Sequence, residues 1–103
     1  MAYTTHEQPF NQMGDGRQVV ATKANRVQLS ATSTHVKKVE ITALSTNTEA
    51  IAVGGVTVVA EAGTETGKII YATDSITIYA DNLNKIYIDS RVDGEGVTYI
   101  YYR

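Results

Sequence analysis

Thirty-four of the 103 residues are β-branched: 11 Val, 9 Ile and 14 Thr, against only three Leu. Side chains branched at Cβ are stiff at χ1 and pack well on a pleated surface, whereas helices draw on Leu and other straight-chain residues. Nowhere does an i, i+3, i+4, i+7 apolar stripe persist for three turns, so no long helix is expected. The chain should therefore be all-β.

Other fold and function classes fall away on composition. Without cysteine there is no disulfide framework, no thiolate nucleophile and no Cys-based zinc or iron–sulfur site. No stretch approaches the 18 or so apolar residues of a membrane span, and Met-Ala-Tyr-Thr-Thr-His-Glu lacks the basic-then-apolar pattern of a secretory signal. The expectation is one domain, with no membrane partner.

Residues 1–16 differ from the rest of the chain: they contain the single Pro (Pro9), the single Phe (Phe10), both Met residues and no period-2 pattern. They predict an extended N-terminal arm that closes in a turn at Gly14-Asp15-Gly16, since glycine reaches φ > 0 cheaply. Residues 17–103 then form the domain. Short β-branched runs fall at 18–22, 26–31, 36–44, 50–53, 56–60, 68–71, 75–80, 85–89 and 97–102, separated by turn residues. Asp93-Gly94-Glu95-Gly96 is the tightest turn signal. Gly54-Gly55 either closes a two-residue hairpin or opens a loop lasting to Gly67. This spacing predicts a single antiparallel β-sandwich of about eight strands, jelly-roll or immunoglobulin-like in layout.

Several strands carry apolar bulk on both faces. Ile76 and Ile78, with Ile86 and Ile88, should face the core, which turns Tyr79 and Tyr87 outward as candidate neighbours across two strands. On the last strand Val97, Tyr99 and Tyr101 share one face while Thr98, Ile100 and Tyr102 share the other. A two-layer sandwich has one core, so either the tyrosines sit half-exposed or the second face meets a partner. Charge is uneven as well: residues 17–39 carry +5 with no acid, residues 40–103 carry −5, and Glu7 with Asp15 bring the total to −2. The basic quarter either pairs with acids inside the fold or faces an acidic partner.

Catalytic and cofactor chemistry find no constellation. His6 lies in the arm and His35 in a Ser/Thr-rich turn, neither with a partner at triad or ligand spacing. Asp89, Asp93 and Glu95 could be drawn together as a calcium site, yet the Asp-x-Asx-x-Asx-Gly loop is missing. No Gly-rich loop leads into a helix, and the tyrosines lie in the acidic part, away from any basic face that would suit nucleic acid. The chain is expected to be no enzyme, to hold no cofactor or metal, and to bind no nucleic acid.

From Arg26 onward the order of segments resembles the small structural proteins of tailed-bacteriophage virions described as head decoration, cement or head-fibre proteins. The likeness is carried by Val27-Gln28-Leu29-Ser30-Ala31-Thr32-Ser33, by Val39-Glu40-Ile41-Thr42-Ala43 with Asn47-Thr48, and by Ile51-Ala52-Val53-Gly54-Gly55. The run from Lys68 to Ile78 continues it. Its strongest piece is Asp81-Asn82-Leu83-Asn84-Lys85-Ile86-Tyr87-Ile88-Asp89 followed by Val92-Asp93-Gly94-Glu95-Gly96-Val97-Thr98-Tyr99-Ile100-Tyr101. Residues 56–66 are more strand-like than the polar loop expected of such proteins, and residues 1–16 have no counterpart in them. The resemblance implies a virion structural protein on the capsid exterior, made in the bacterial host cytoplasm, that decorates or cements the shell by binding the major capsid protein. Alternatives are a head-fibre, tail or spike adaptor, or a carbohydrate-binding adhesin module. Candidate contacts are Tyr3 and Phe10 of the arm, Arg17, Lys37 and Lys38 of the basic quarter, and Tyr79 and Tyr87. Strands apolar on both faces would also suit a homo-oligomer, a trimer first among them.

Overall fold

A computed structural model describes residues 12–103. Eight strands run in chain order as β1 (Met13–Val20), β2 (Val27–Gln28), β3 (Lys38–Ala43), β4 (Ile51–Gly54), β5 (Lys68–Ile70), β6 (Ser75–Ile78), β7 (Tyr87–Ser90) and β8 (Glu95–Tyr102). A 3₁₀ turn at Leu83–Lys85 precedes β7. The strands form two four-stranded antiparallel sheets, ordered β1-β8-β3-β6 and β2-β7-β4-β5. Pairing β1 with β8, β2 with β7, β3 with β6 and β4 with β5 is what results when one long antiparallel ribbon is rolled up on itself. That order is the jelly roll, and it separates this sandwich from the immunoglobulin arrangement.

The β-branched surplus becomes the core. Val20, Val39, Ile41, Ile51, Val53, Ile70, Ile88 and Val97 are all at most 2 % exposed, and Leu29 and Leu83 close the same cluster. Strand β3 shows the mechanism most plainly, because Val39, Ile41 and Ala43 are buried while Lys38, Glu40 and Thr42 alternate outward. Ile76 and Ile78 of β6 face this core as expected.

Four expectations change. Met13 to Gly16 are strand, not arm: β1 pairs with β8 along its whole length, from Met13 opposite Tyr102 to Val20 opposite Glu95. The two glycines read as a turn lie beneath aromatic rings, since a Cβ on Gly14 would fall 2.2 Å from the Tyr101 ring and one on Gly16 would fall 2.3 Å from the Tyr99 hydroxyl. Glycine in a strand often marks such a close approach.

Residues 56–60 are not a strand. Gly54-Gly55 opens a loop that returns only at Gly67, where φ is +84° and a Cβ would lie 2.5 Å from the Val53 carbonyl oxygen. The loop crosses the outer face of the second sheet and makes one bridge with itself, Val59 to Thr66. Its inward side chains Val58 and Ala60 bury against Ala52, Ile69 and Tyr87.

Run 85–89 begins as strand only at Tyr87, because Asn82 accepts from the Asn84 N–H and winds the preceding residues into the 3₁₀ turn. Finally, Tyr79 and Tyr87 are not neighbours: Tyr79 follows β6 in the first sheet, whereas Tyr87 opens β7 in the second.

Candidate interaction face

The two sheets treat their outer faces differently. On the second sheet the loop 55–67 supplies a cover, held down by three side chains. Arg26 Nε donates to the Val58 carbonyl at 2.8 Å, the Ala60 N–H donates to Asp89 Oδ2 at 2.9 Å, and Arg91 Nε donates to the Ala60 carbonyl at 2.7 Å. These are the backbone groups a neighbouring strand would otherwise have engaged, which explains why a β-branched segment here stays out of the sheet. Arg91 is itself braced by Glu65 at 2.7 Å and Glu49 at 3.5 Å. Asp89 is 2 % exposed, and its Oδ1 has no hydrogen-bond partner among the described residues. No local pattern signals this clasp, since its members are scattered from Arg26 to Arg91.

No comparable cover lies among the described residues on the outer face of the first sheet. The register places its side chains in rows across the strands: Met13, Tyr102 and Lys38; then Asp15, Ile100, Glu40 and Thr77; then Arg17, Thr98, Thr42 and Ser75. Met13 is 61 % exposed, and Tyr79, one step beyond β6, is 78 % exposed. The Lys38 ammonium sits 4.7 Å from the centre of the Tyr102 ring, within cation–π range. Thr42 and Ser75 hydroxyls meet at 2.7 Å. The face thus combines apolar and aromatic groups with both signs of charge.

The candidate residues separate accordingly. Arg17, Lys38 and Tyr79 share this face. Lys37 is exposed at the adjoining end of the sandwich, where its N–H donates to the Tyr102 carbonyl at 2.7 Å. Arg103, which sequence reasoning missed, joins that end by donating to the His35 carbonyl and to Gln12 Oε1, both at 3.1 Å. No local pattern marks it, because the β3–β8 pairing, with Lys38 opposite Tyr102, is what brings it beside Lys37, and the β1–β8 pairing is what brings it beside Gln12. Tyr87 belongs to the covered sheet and is half-buried under the loop. Tyr3 and Phe10 lie outside the described residues.

The three carboxylates that might have shared a calcium ion point to three different places. Asp89 takes the Ala60 N–H, Asp93 Oδ1 takes the Lys23 N–H at 2.8 Å, and Glu95 takes the Thr48 N–H and hydroxyl, both at 2.7 Å, with the Glu49 N–H at 3.2 Å. No group of three potential metal ligands occurs among the described residues. The basic quarter is dispersed too: Arg26 turns to a carbonyl, while the ion pairs Lys85–Asp81, Arg91–Glu49 and Arg91–Glu65 join groups within residues 40–103. Comparison with protein-family models, with curated proteins and with solved structures returned no match to this chain.

Proposed function

We propose that this protein is a virion structural protein of a tailed bacteriophage that binds the outer capsid surface and reinforces or decorates the shell. The observation that carries the reading is the asymmetry of the two outer faces. Among the described residues one is sealed by the chain's own loop, whereas the other places Met13, Ile100 and Tyr79 among Arg17, Asp15 and Glu40. The segments from Val27 to Tyr101 that resemble decoration proteins support the role, and the jelly roll is an architecture that viral capsid domains use, an analogy at the level of fold alone. The work done is binding without turnover. A protein that binds only the assembled shell shifts the assembly equilibrium toward it, and many copies on a symmetric lattice make modest single-site affinity sufficient.

The test is to add purified protein to phage particles that lack it and image them by electron microscopy. Density spread over the capsomers is expected, and Tyr79→Ala with Lys38→Glu should reduce occupancy while leaving the circular-dichroism spectrum unchanged. Density confined to the neck, tail or fibres overturns the capsid assignment in favour of an adaptor. Binding to a glycan array that is lost in Tyr79→Ala would point instead to an adhesin.

A further inference from the structure

β1 is the terminal strand of the first sheet, and at eight residues it is as long as β8 and longer than any other strand among the described residues. Its outward hydrogen-bonding groups can be assigned. The Arg103 N–H donates to the Gln12 carbonyl at 2.8 Å, so Gln12 and every second residue after it (Gly14, Gly16, Gln18, Val20) exchange bonds with β8. Met13, Asp15, Arg17 and Val19 therefore aim their N–H and C=O groups away from the sheet. Among the described residues the edge is closed at one end only: Gln18 Oε1 accepts the Val19 N–H at 3.0 Å, while Gln18 Nε2 donates to the Gln28 carbonyl at 2.7 Å. From Met13 to Arg17 no such guard is present among the described residues, and the side chains of Met13, Asp15 and Arg17 are exposed on the outer face.

We propose that this edge pairs with the same edge of a second copy, antiparallel and with Gly16 on the two-fold axis. Charge selects that register. With Gly16 opposite Gly16, Asp15 of each copy stands opposite Arg17 of the other, on the same face, and Met13 stands opposite Val19. Shifting so that Asp15 meets Asp15 would set like charges side by side, which is unfavourable for directly opposed residues. The chosen register also lets the outward N–H and C=O of Asp15 and Arg17 form four backbone hydrogen bonds across the axis. Gly16 falls at a non-hydrogen-bonded position, where the strands come closest and a residue without Cβ fits best. The Gln18 cap on Val19 then ends the ladder at both sides. Pairing of this kind is isologous and closes as a dimer, and it joins the two first sheets into one eight-stranded sheet whose outer faces lie side by side. It stands independently of the capsid reading.

Sedimentation velocity on the full-length chain over a range of concentrations tests it, combined with amide hydrogen exchange. Expected is a monomer–dimer equilibrium in which Asp15→Arg and Arg17→Asp each weaken dimerisation roughly tenfold, while the double exchange Asp15→Arg with Arg17→Asp restores it. The Asp15 and Arg17 amides should exchange more slowly in the dimer than after dilution to monomer. Both side chains are exposed, so the melting temperature of each variant reports whether the fold is intact. A protein that stays monomeric, a trimer, a dimer indifferent to the single reversals, or single losses that the double exchange does not rescue would each overturn the proposal.

Discussion

Four of the eight glycines set how closely particular parts of this molecule approach, and the neighbour decides what each tolerates. A Cβ on Gly96 would lie 2.1 Å from the Gln18 carbonyl oxygen and 2.7 Å from the Val19 Cα, both backbone atoms of the adjoining strand. A Cβ on Gly16 meets only the outer end of the Tyr99 ring, which can swing. Gly96→Ala should therefore cost about 3 kcal/mol in urea unfolding and Gly16→Ala about 1 kcal/mol. In a Tyr99→Ala background the Gly16→Ala effect should vanish, because the colliding ring is gone. Equal effects at the two positions would contradict this distinction between a backbone and a side-chain neighbour. The same glycines show a limit of sequence reading: Gly14-Asp15-Gly16 has turn composition, and only the rings of Tyr99 and Tyr101, at the far end of the chain, reveal it as strand. Burial pushes the Tyr99 hydroxyl pKa above its ordinary value, against a hydrogen bond with the Ser30 side chain that lowers it.

At the scale of elements, two polar devices tie loops to strands. Glu95 opens β8 and receives three hydrogen bonds from residues 48 and 49. Burial pushes its carboxyl upward, but the Thr48 N–H, the Thr48 hydroxyl and the Glu49 N–H outweigh that and hold its pKa below the usual carboxylate value. A folded pKa below the unfolded one, about 4.3 for Glu, means the stabilisation is complete above the unfolded value. It is lost as pH falls through the lowered folded value. Thermal melts should fall off below about pH 4 to 5, and Glu95→Gln should flatten that slope while lowering the melting temperature at neutral pH. A slope unchanged in the variant would remove Glu95 as its source.

The second device is the clasp on loop 55–67. Asp89→Ala strands the buried Ala60 N–H and should cost about 1–3 kcal/mol, with faster amide exchange across residues 58–66 than elsewhere. The strand-forming composition of residues 56–60 was legible, and its outcome was not. β-Propensity records fitness for a pleated, half-buried surface, and Val58 and Ala60 found theirs by lying on a sheet instead of joining one. Part of the surplus apolar material is thereby used within the chain, and the remainder stays on the outer face of the first sheet.

At the scale of the whole molecule, the class was readable because it depends on local residue choice, while the sheet assignment depends on pairings that span the chain. β1 meets β8 through pairs such as Met13 with Tyr102, and β3 meets β8 through Lys38 with Tyr102, so no window of local sequence could say that the first strand begins at Met13 or that Arg103 ends beside Lys37. Such long-range closure makes the first strand a structural member, with a consequence for truncation. Deleting residues 1–16 removes half of β1, leaves Tyr99 to Tyr102 paired on one side only, with β3, and exposes the ring faces that Gly14 and Gly16 now floor. For a domain of this size each kcal/mol of lost stability lowers the melting temperature by about 4–8 °C, so a drop of at least about 10 °C is expected by differential scanning calorimetry. Deleting only residues 1–11 keeps every β1–β8 pair and should change the melting temperature by much less. Two deletions with the same small effect would mean that pairing at Met13 to Gly16 contributes little, and that the roll is held shut from Arg17 onward.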